Sequence, residues 1–180
     1  MDNRTLVIKI KPSHPSVSSW GSNGTGEAQF QSPQGIAIDP LFNNVYIVDK
    51  GNSRIQAFDM DGHPLTPSGW GAKGKGPGQF YLPENIAFDS KDEFLYVADS
   101  GNNRIQKFTT WGRNVTSWGS LCDLHNPINC KASENSSYVG IGQFRYPQGL
   151  AVDFKGNVYV ADFNNDRIQK FDSNGKFLNM

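Results

Sequence analysis

The sequence predicts an all-β fold, a β-propeller segment of four-stranded blades. Three observations carry this. One motif passes three times through the 180 residues, as Gln29-Phe30-x-x-Pro33, Gln79-Phe80-x-x-Pro83 and Gln143-Phe144-x-x-Pro147. Each copy runs on through an aspartate (Asp39, Asp89, Asp153) and a Tyr-x-x-Asp step to Asn-x-Arg-Ile-Gln-x-Phe, ending at Phe58, Phe108 and Phe171. Inside each copy the apolar pattern has period 2, and no long window keeps a helical spacing without a Gly or Pro in it. Short strands recurring at a near-fixed interval mark an architecture in which each unit buries its faces against its neighbours.

The elements follow in order. Arg4 to Trp20 spans the same 16 residues as Arg54 to Trp70, so Asn3-Arg4 aligns with the start of a third strand and Ser16–Trp20 with a fourth. The chain is then expected to open with a partial blade. Ile36–Asp39, Val45–Val48 and Arg54–Phe58 read as strands a, b and c, bounded by Pro40, Asn43-Asn44, Gly51-Asn52 and Asp61-Gly62. The outer strands end at Trp20-Gly21, Trp70-Gly71 and Trp118-Gly119. Equivalent arginines lie 50 residues apart (Arg54, Arg104) and then 63 apart (Arg104, Arg167). The excess of about 13 residues falls at 120–139, read as a loop insertion because insertions in such arrays map to loops. Residues 1–180 form one propeller segment with repeats near 21–70, 71–118 and 140–180. The last unit ends at Phe177–Met180, early in its fourth strand.

Charge restricts the partners. Seventeen basic and 17 acidic side chains cancel, whereas a domain that grips phosphate backbones carries a basic excess. The apolar run Leu6–Ile10 is interrupted by Lys9 and is too short to span a bilayer or to form a signal peptide, so any export signal would lie outside these residues. Cys122 and Cys130 both fall in the insertion. Two free thiols, or a disulfide closing the loop in an oxidising compartment, both fit that spacing. Asn-x-Ser/Thr sequons at Asn3, Asn23, Asn114 and Asn135 tilt the reading towards an extracytoplasmic chain.

Motifs that suggest chemistry have simpler structural readings. Asp49, Asp99 and Asp162 each stand five residues before Arg54, Arg104 and Arg167. A pair that recurs in every blade is expected to staple the blade, as a salt bridge or a cap on turn amides, rather than to ring a metal ion. The three Trp-Gly steps are likewise expected to pack blade on blade. Gly69–Gly76 approaches a phosphate-binding loop, but Gly76 stands where a Ser or Thr is needed and no helix follows. Asp59-Met60-Asp61-Gly62 begins like a calcium loop and lacks its later ligands; its counterpart Asp172–Gly175 identifies a hairpin turn. His14, His63 and His125 occupy non-equivalent positions, so neither a zinc site nor a nucleophile–base pair is expected, and no cofactor.

The three copies of Gln-Phe-x-x-Pro with Asp-x-x-Asn-x-Arg-Ile resemble NHL repeats, in the Asn-x-Arg-Ile-Gln variant, over roughly residues 20–178. The resemblance implies a propeller, usually of six blades, serving as a binding platform. Members of the family include peptidyl-hydroxyglycine lyases, RNA-binding regulators, ubiquitin-ligase substrate modules and sensor domains. In the lyases a histidine is expected just after the blade proline, where this chain has Gln34, Glu84 and Gln148. A six-bladed ring needs roughly 270 residues at about 45 per blade. The chain is therefore expected to be a fragment of a longer protein or, second, a half-ring closed by another copy.

In a propeller the b–c and d–a loops surround one mouth of the channel. Residues there that do not recur are the candidates for specificity. The expected ligand contacts are Tyr81, Glu84, Arg145, Tyr146, Gln148 and Phe163. The expected function is a non-enzymatic module binding a protein, peptide or glycan. The alternatives are a metal-assisted lyase or hydrolase completed by other blades, and a single-stranded RNA or ubiquitin-ligase substrate reader.

Overall fold

The computed structural model describes residues 19–132 and 139–179. The strands expected at Asn3-Arg4 and before Ser19, His14, and the sequons at Asn3 and Asn135 lie outside these residues.

Two short parallel strands, β1 (Ser22–Asn23) and β2 (Gln29–Phe30), fold the entry loop back on itself. The first four-stranded meander follows, with β3 (Pro33–Asp39), β4 (Asn44–Asp49), β5 (Arg54–Asp59) and β6 (Pro64–Trp70). The second contains β7 (Pro83–Asp89), β8 (Phe94–Asp99), β9 (Arg104–Thr109) and β10 (Asn114–Trp118). The third contains β11 (Pro147–Val152), β12 (Val158–Asp162), β13 (Arg167–Phe171) and β14 (Phe177–Asn179). Each sheet pairs its strands antiparallel in chain order, and the inner strands β3, β7 and β11 lie side by side. These are three propeller blades.

The b–c connections are single 3-10 turns closed by a left-handed residue, Ser53, Asn103 or Asp166. The entry-loop pairing recurs as the parallel bridges Lys73–Phe80 and Leu121–Phe144.

Aromatic rings interlock the blades. Trp70 closes β6 and meets Tyr46 of its own blade at 6.0 Å and Phe108 of the next at 5.8 Å. Trp118 repeats this with Tyr96 at 6.0 Å and Phe171 at 5.7 Å. Phe80, Phe108, Phe144 and Phe171 are fully buried, each burial contributing about 1.5–3 kcal/mol. The c–d turn of the following blade caps each indole. At Gly112, with φ +79°, a Cβ would collide with the Trp70 ring, which explains the glycine.

The middle blade is covered on both sides and the outer two are not. Ile86 is 2% exposed, whereas its counterpart Ile36 on β3 is 61% exposed. Ile55 and Ile105 are fully buried, yet Ile168 on β13 is 55% exposed. Both open flanks present apolar side chains of the kind that neighbouring blades bury.

Candidate functional site

The loop face is built on one buried carboxylate per blade. Asp99 ends β8, and its Oδ2 accepts hydrogen bonds from Arg104 Nε (2.7 Å), Asn102 Nδ2 (2.9 Å) and Gln106 Nε2 (3.1 Å). The same three donor types surround Asp49 and Asp162. The other oxygen takes the backbone N–H of Gln31 (2.8 Å), Tyr81 (2.8 Å) or Arg145 (2.7 Å). The salt bridge expected across the b–c turn is present. The capped amide, however, belongs to the d–a loop, because that loop folds over the end of β8 and its equivalents.

The donors hold that loop as well. Asn102 reaches the carbonyl of Gly74 (2.8 Å), while Arg104 reaches those of Gly76 (2.8 Å) and Gln79 (2.9 Å). Gln106 donates to the Gln79 carbonyl (2.7 Å) and accepts the Gly78 N–H (3.0 Å). Every polar residue of Asn-x-Arg-Ile-Gln thus helps tie strands b and c to the incoming loop, in charge-assisted bonds around a fully buried acceptor.

The third loop keeps the same anchors around the insertion. Asn165 donates to Cys122 O (2.8 Å), and Arg167 donates to Val139 O (2.9 Å) and Gly140 O (2.7 Å). In sequence the insertion lies between those two anchor points. Cys122 and Cys130 form a disulfide at the base of the insertion, so of the two arrangements the spacing allows, the cross-link is present. Arg145 turns towards this segment, with its Nη1 3.2 Å from Asp123 Oδ1, and His125 stands within 3.5 Å of Asp123 and Asp166.

At the mouth of the channel three blades meet on one carboxylate. Glu84, on β7, accepts from Lys50 Nζ of the first blade at 2.6 Å and from Tyr146 OH of the third at 2.7 Å. Burial, followed by the hydrogen bond to Glu84, pushes the Tyr146 phenol up to about 12. Beside Glu84, the buried Ser100 hydroxyl bonds the Pro147 carbonyl across the next interface.

Of the six expected contacts, Glu84 and Tyr146 are therefore joined directly. Tyr81 is 42% exposed on the rim, with Lys73 Nζ 5.8 Å from its ring centroid. Phe163 is 56% exposed on the third b–c turn, next to Asn164, whose N–H bonds the Arg145 carbonyl. Gln148 is half-buried on β11, and Arg145 is engaged with the insertion. Lys50 belongs to the cluster although it is not among those six; its failure to recur, against Ser100 and Phe163, was the available signal.

Among the described residues, the His, Asp, Glu or Cys group with ligand atoms within 4.8 Å is Asp59, Asp61 and His63. It lies on the first c–d turn, away from the channel mouth. Asp59 Oδ1 caps the amides of Asp61 (2.9 Å) and His63 (2.8 Å), which accounts for the cluster as turn chemistry.

The NHL repeat profile matches residues 30–58, 80–108 and 144–171. Over 61 residues the chain is 38% identical to NHL repeat-containing protein 3 of Homo sapiens, a stretch covering 34% of this chain and 17% of that protein. Its fold resembles the nidogen/laminin complex structure, at a TM-score of 0.54 and 21% identity, over 80% of this chain and 45% of that one. It also resembles inactive virginiamycin B lyase from Staphylococcus aureus with quinupristin, at a TM-score of 0.56 and 18% identity, over 83% of this chain and 41% of the lyase. The chain thus spans less than half of either propeller, and at these identities the likeness is one of fold. The three repeats, each folded as a four-stranded blade around an Asp–Asn–Arg–Gln tie, place this chain in the NHL-repeat family of β-propellers.

Proposed function

We propose that the chain is a non-enzymatic binding module that recognises a protein, peptide or glycan on its loop face. The observation that carries this is the Lys50–Glu84–Tyr146 cluster at the channel mouth, flanked by the exposed rings of Tyr81 and Phe163. Recurring polar residues on this face are engaged in holding the loops. The residues that differ between blades form a fixed polar centre with aromatic edges, the composition of a recognition surface.

The charges on this face disfavour single-stranded RNA as the ligand. That reading would draw on Lys50, Lys73, Lys75 and Arg145 beside Tyr81 and Tyr146, and of these cations Lys50 and Arg145 face Glu84 and Asp123. A role in a ubiquitin ligase would be substrate recognition on this same surface. The disulfide in the insertion supports an oxidising, extracytoplasmic setting. The uncovered flanks at Ile36 and Ile168 support ring closure, by further blades or by a second copy.

The test is to probe peptide and glycan arrays with the chain and with the double variant Tyr81→Ala/Tyr146→Ala. Specific binders that the variant loses, while it still folds and melts cooperatively at a somewhat lower temperature, are expected. Binders unchanged by the variant would overturn the reading. So would chelator-sensitive turnover of an array peptide, which would establish the metal-assisted enzyme instead.

A further inference from the structure

The two complete inter-blade interfaces differ at the residue that faces the strand-b tyrosine. Lys107 faces Tyr96 across the β8–β9 ladder and is 4% exposed. Its stem crosses the Phe94 ring, with Nζ 3.8 Å from the centroid, and Nζ donates to Ser173 O of the third blade at 2.8 Å. At the same place in the first blade, Ala57 faces Tyr46. No side chain fills the interface there, and a cleft of about 390 Å3 opens between the first two blades.

The cleft keeps part of the surroundings of a lysine without the lysine, with Asn44 where Phe94 stands and Phe42 where Asp92 stands. Tyr46 stands where Tyr96 does, and Thr110, in the c–d turn of the second blade, stands where Ser173 does. Phe42, Trp70 and Trp111 add aromatic walls, with Trp111 73% exposed at the entrance and Glu93 beside it. Asp39 lies opposite Asn44 at the end of the β3–β4 ladder and is fully buried. Its Oδ1 takes the amides of Leu41 and Phe42, while its Oδ2 has no donor. In the third blade the equivalent oxygen of Asp153 is satisfied by Asn157 and Tyr159. In the second blade the equivalent Asp89 oxygen also has no donor; burial lowers the Lys107 pKa, and the Asp89 charge acts through space to raise it. The first blade therefore has a buried, uncompensated carboxylate near an aromatic cleft, where the next interface places an ammonium in the field of the equivalent carboxylate.

We propose that this cleft is a second binding site, taking a lysine side chain from a partner polypeptide in the place that Lys107 fills from within the chain one interface later. The alkyl stem lies against Tyr46 and Leu65, and the ammonium is held by ring faces and by the Glu93 carboxylate, with the buried Asp39 charge behind the wall that Tyr46 forms. The site lies between the blades and away from the channel mouth, so it stands or falls independently of the loop-face surface.

The chain is titrated with the capped peptide Gly-Gly-Lys-Gly-Gly, and with the same peptide carrying norleucine in place of lysine. The indole N–H signals of its tryptophans are followed by NMR. Saturable shifts of the Trp70 and Trp111 signals are expected, with binding of the norleucine peptide weaker by about tenfold or more. Ala57→Lys fills the cleft from within, as Lys107 does, and should remove the binding while raising the melting temperature. Trp111→Ala truncates an exposed ring and should weaken binding about fivefold with the fold intact. Equal binding of the two peptides, no saturable shift, or binding that survives both Ala57→Lys and Trp111→Ala overturns the proposal.

Discussion

The loops leading into the second and third blades share their anchors but hold 12 residues between Trp70 and Pro83 and 28 between Trp118 and Pro147. In the shorter one, Asn102 and Arg104 hold the carbonyls of Gly74 and Gly76, which are two residues apart. In the longer one, Asn165 and Arg167 hold those of Cys122 and Gly140, with the whole insertion between them. Asp99 and Asp162 meet the same donors at nearly the same distances. The comparison teaches that the tie fixes where a loop leaves and rejoins its blade, while the chain between is free to vary. Loops of different length can then be carried without loosening the blades.

Breaking the tie itself should have the largest effect. Asp99→Ala leaves Arg104, Asn102 and Gln106 facing a void, at a cost of about 3–5 kcal/mol for one partner lost from a buried ion pair. Thermal melting checks this. Asp162→Ala should cost as much, since the longer loop uses the same contacts, and a much smaller loss there would separate the two loops. Opening the insertion alone should cost less. Cys122→Ser/Cys130→Ser releases a short cross-link worth at most about 2–3 kcal/mol. Hydrogen exchange should show faster amides in the insertion and unchanged ones in β12 and β13.

The channel mouth gives the smallest effect. Tyr146→Phe removes one hydrogen bond to Glu84, about 1 kcal/mol. Because the folded phenol titrates only near 12, its contribution is present below the ordinary tyrosine range and is lost as pH rises from about 10 towards that value. Burial pushes the Tyr46 and Tyr96 phenols up as well, so absorbance at alkaline pH should show several late-titrating phenols, with one fewer in Tyr146→Phe.

Much of the framework was legible because it repeats. Period 2 marked strands a to c, and the five-residue spacing from Asp49 to Arg54 marked a pair across a tight turn. What escaped depends on contacts distant in sequence. The amide capped by Asp99 is Tyr81, 18 residues away, and it meets the carboxylate only once the loop has folded over the blade. Lys50, Glu84 and Tyr146 come from three blades, and their meeting follows from how the inner strands converge. Ala57 was visible as the odd residue in a column with Lys107 and Lys170. That it leaves a cleft depends on Phe42, Trp70 and Trp111, which the column does not contain.

The most direct test of the central claim is hydrogen exchange at two backbone amides, Tyr81 and Arg145. Each donates to a buried carboxylate, at 2.8 and 2.7 Å. If the tie fixes the loops regardless of length, the two should exchange within about tenfold of each other, an opening free energy matched to about 1.4 kcal/mol. Arg145 exchanging orders of magnitude faster than Tyr81 would mean that the insertion loosens its blade, and the account would be contradicted.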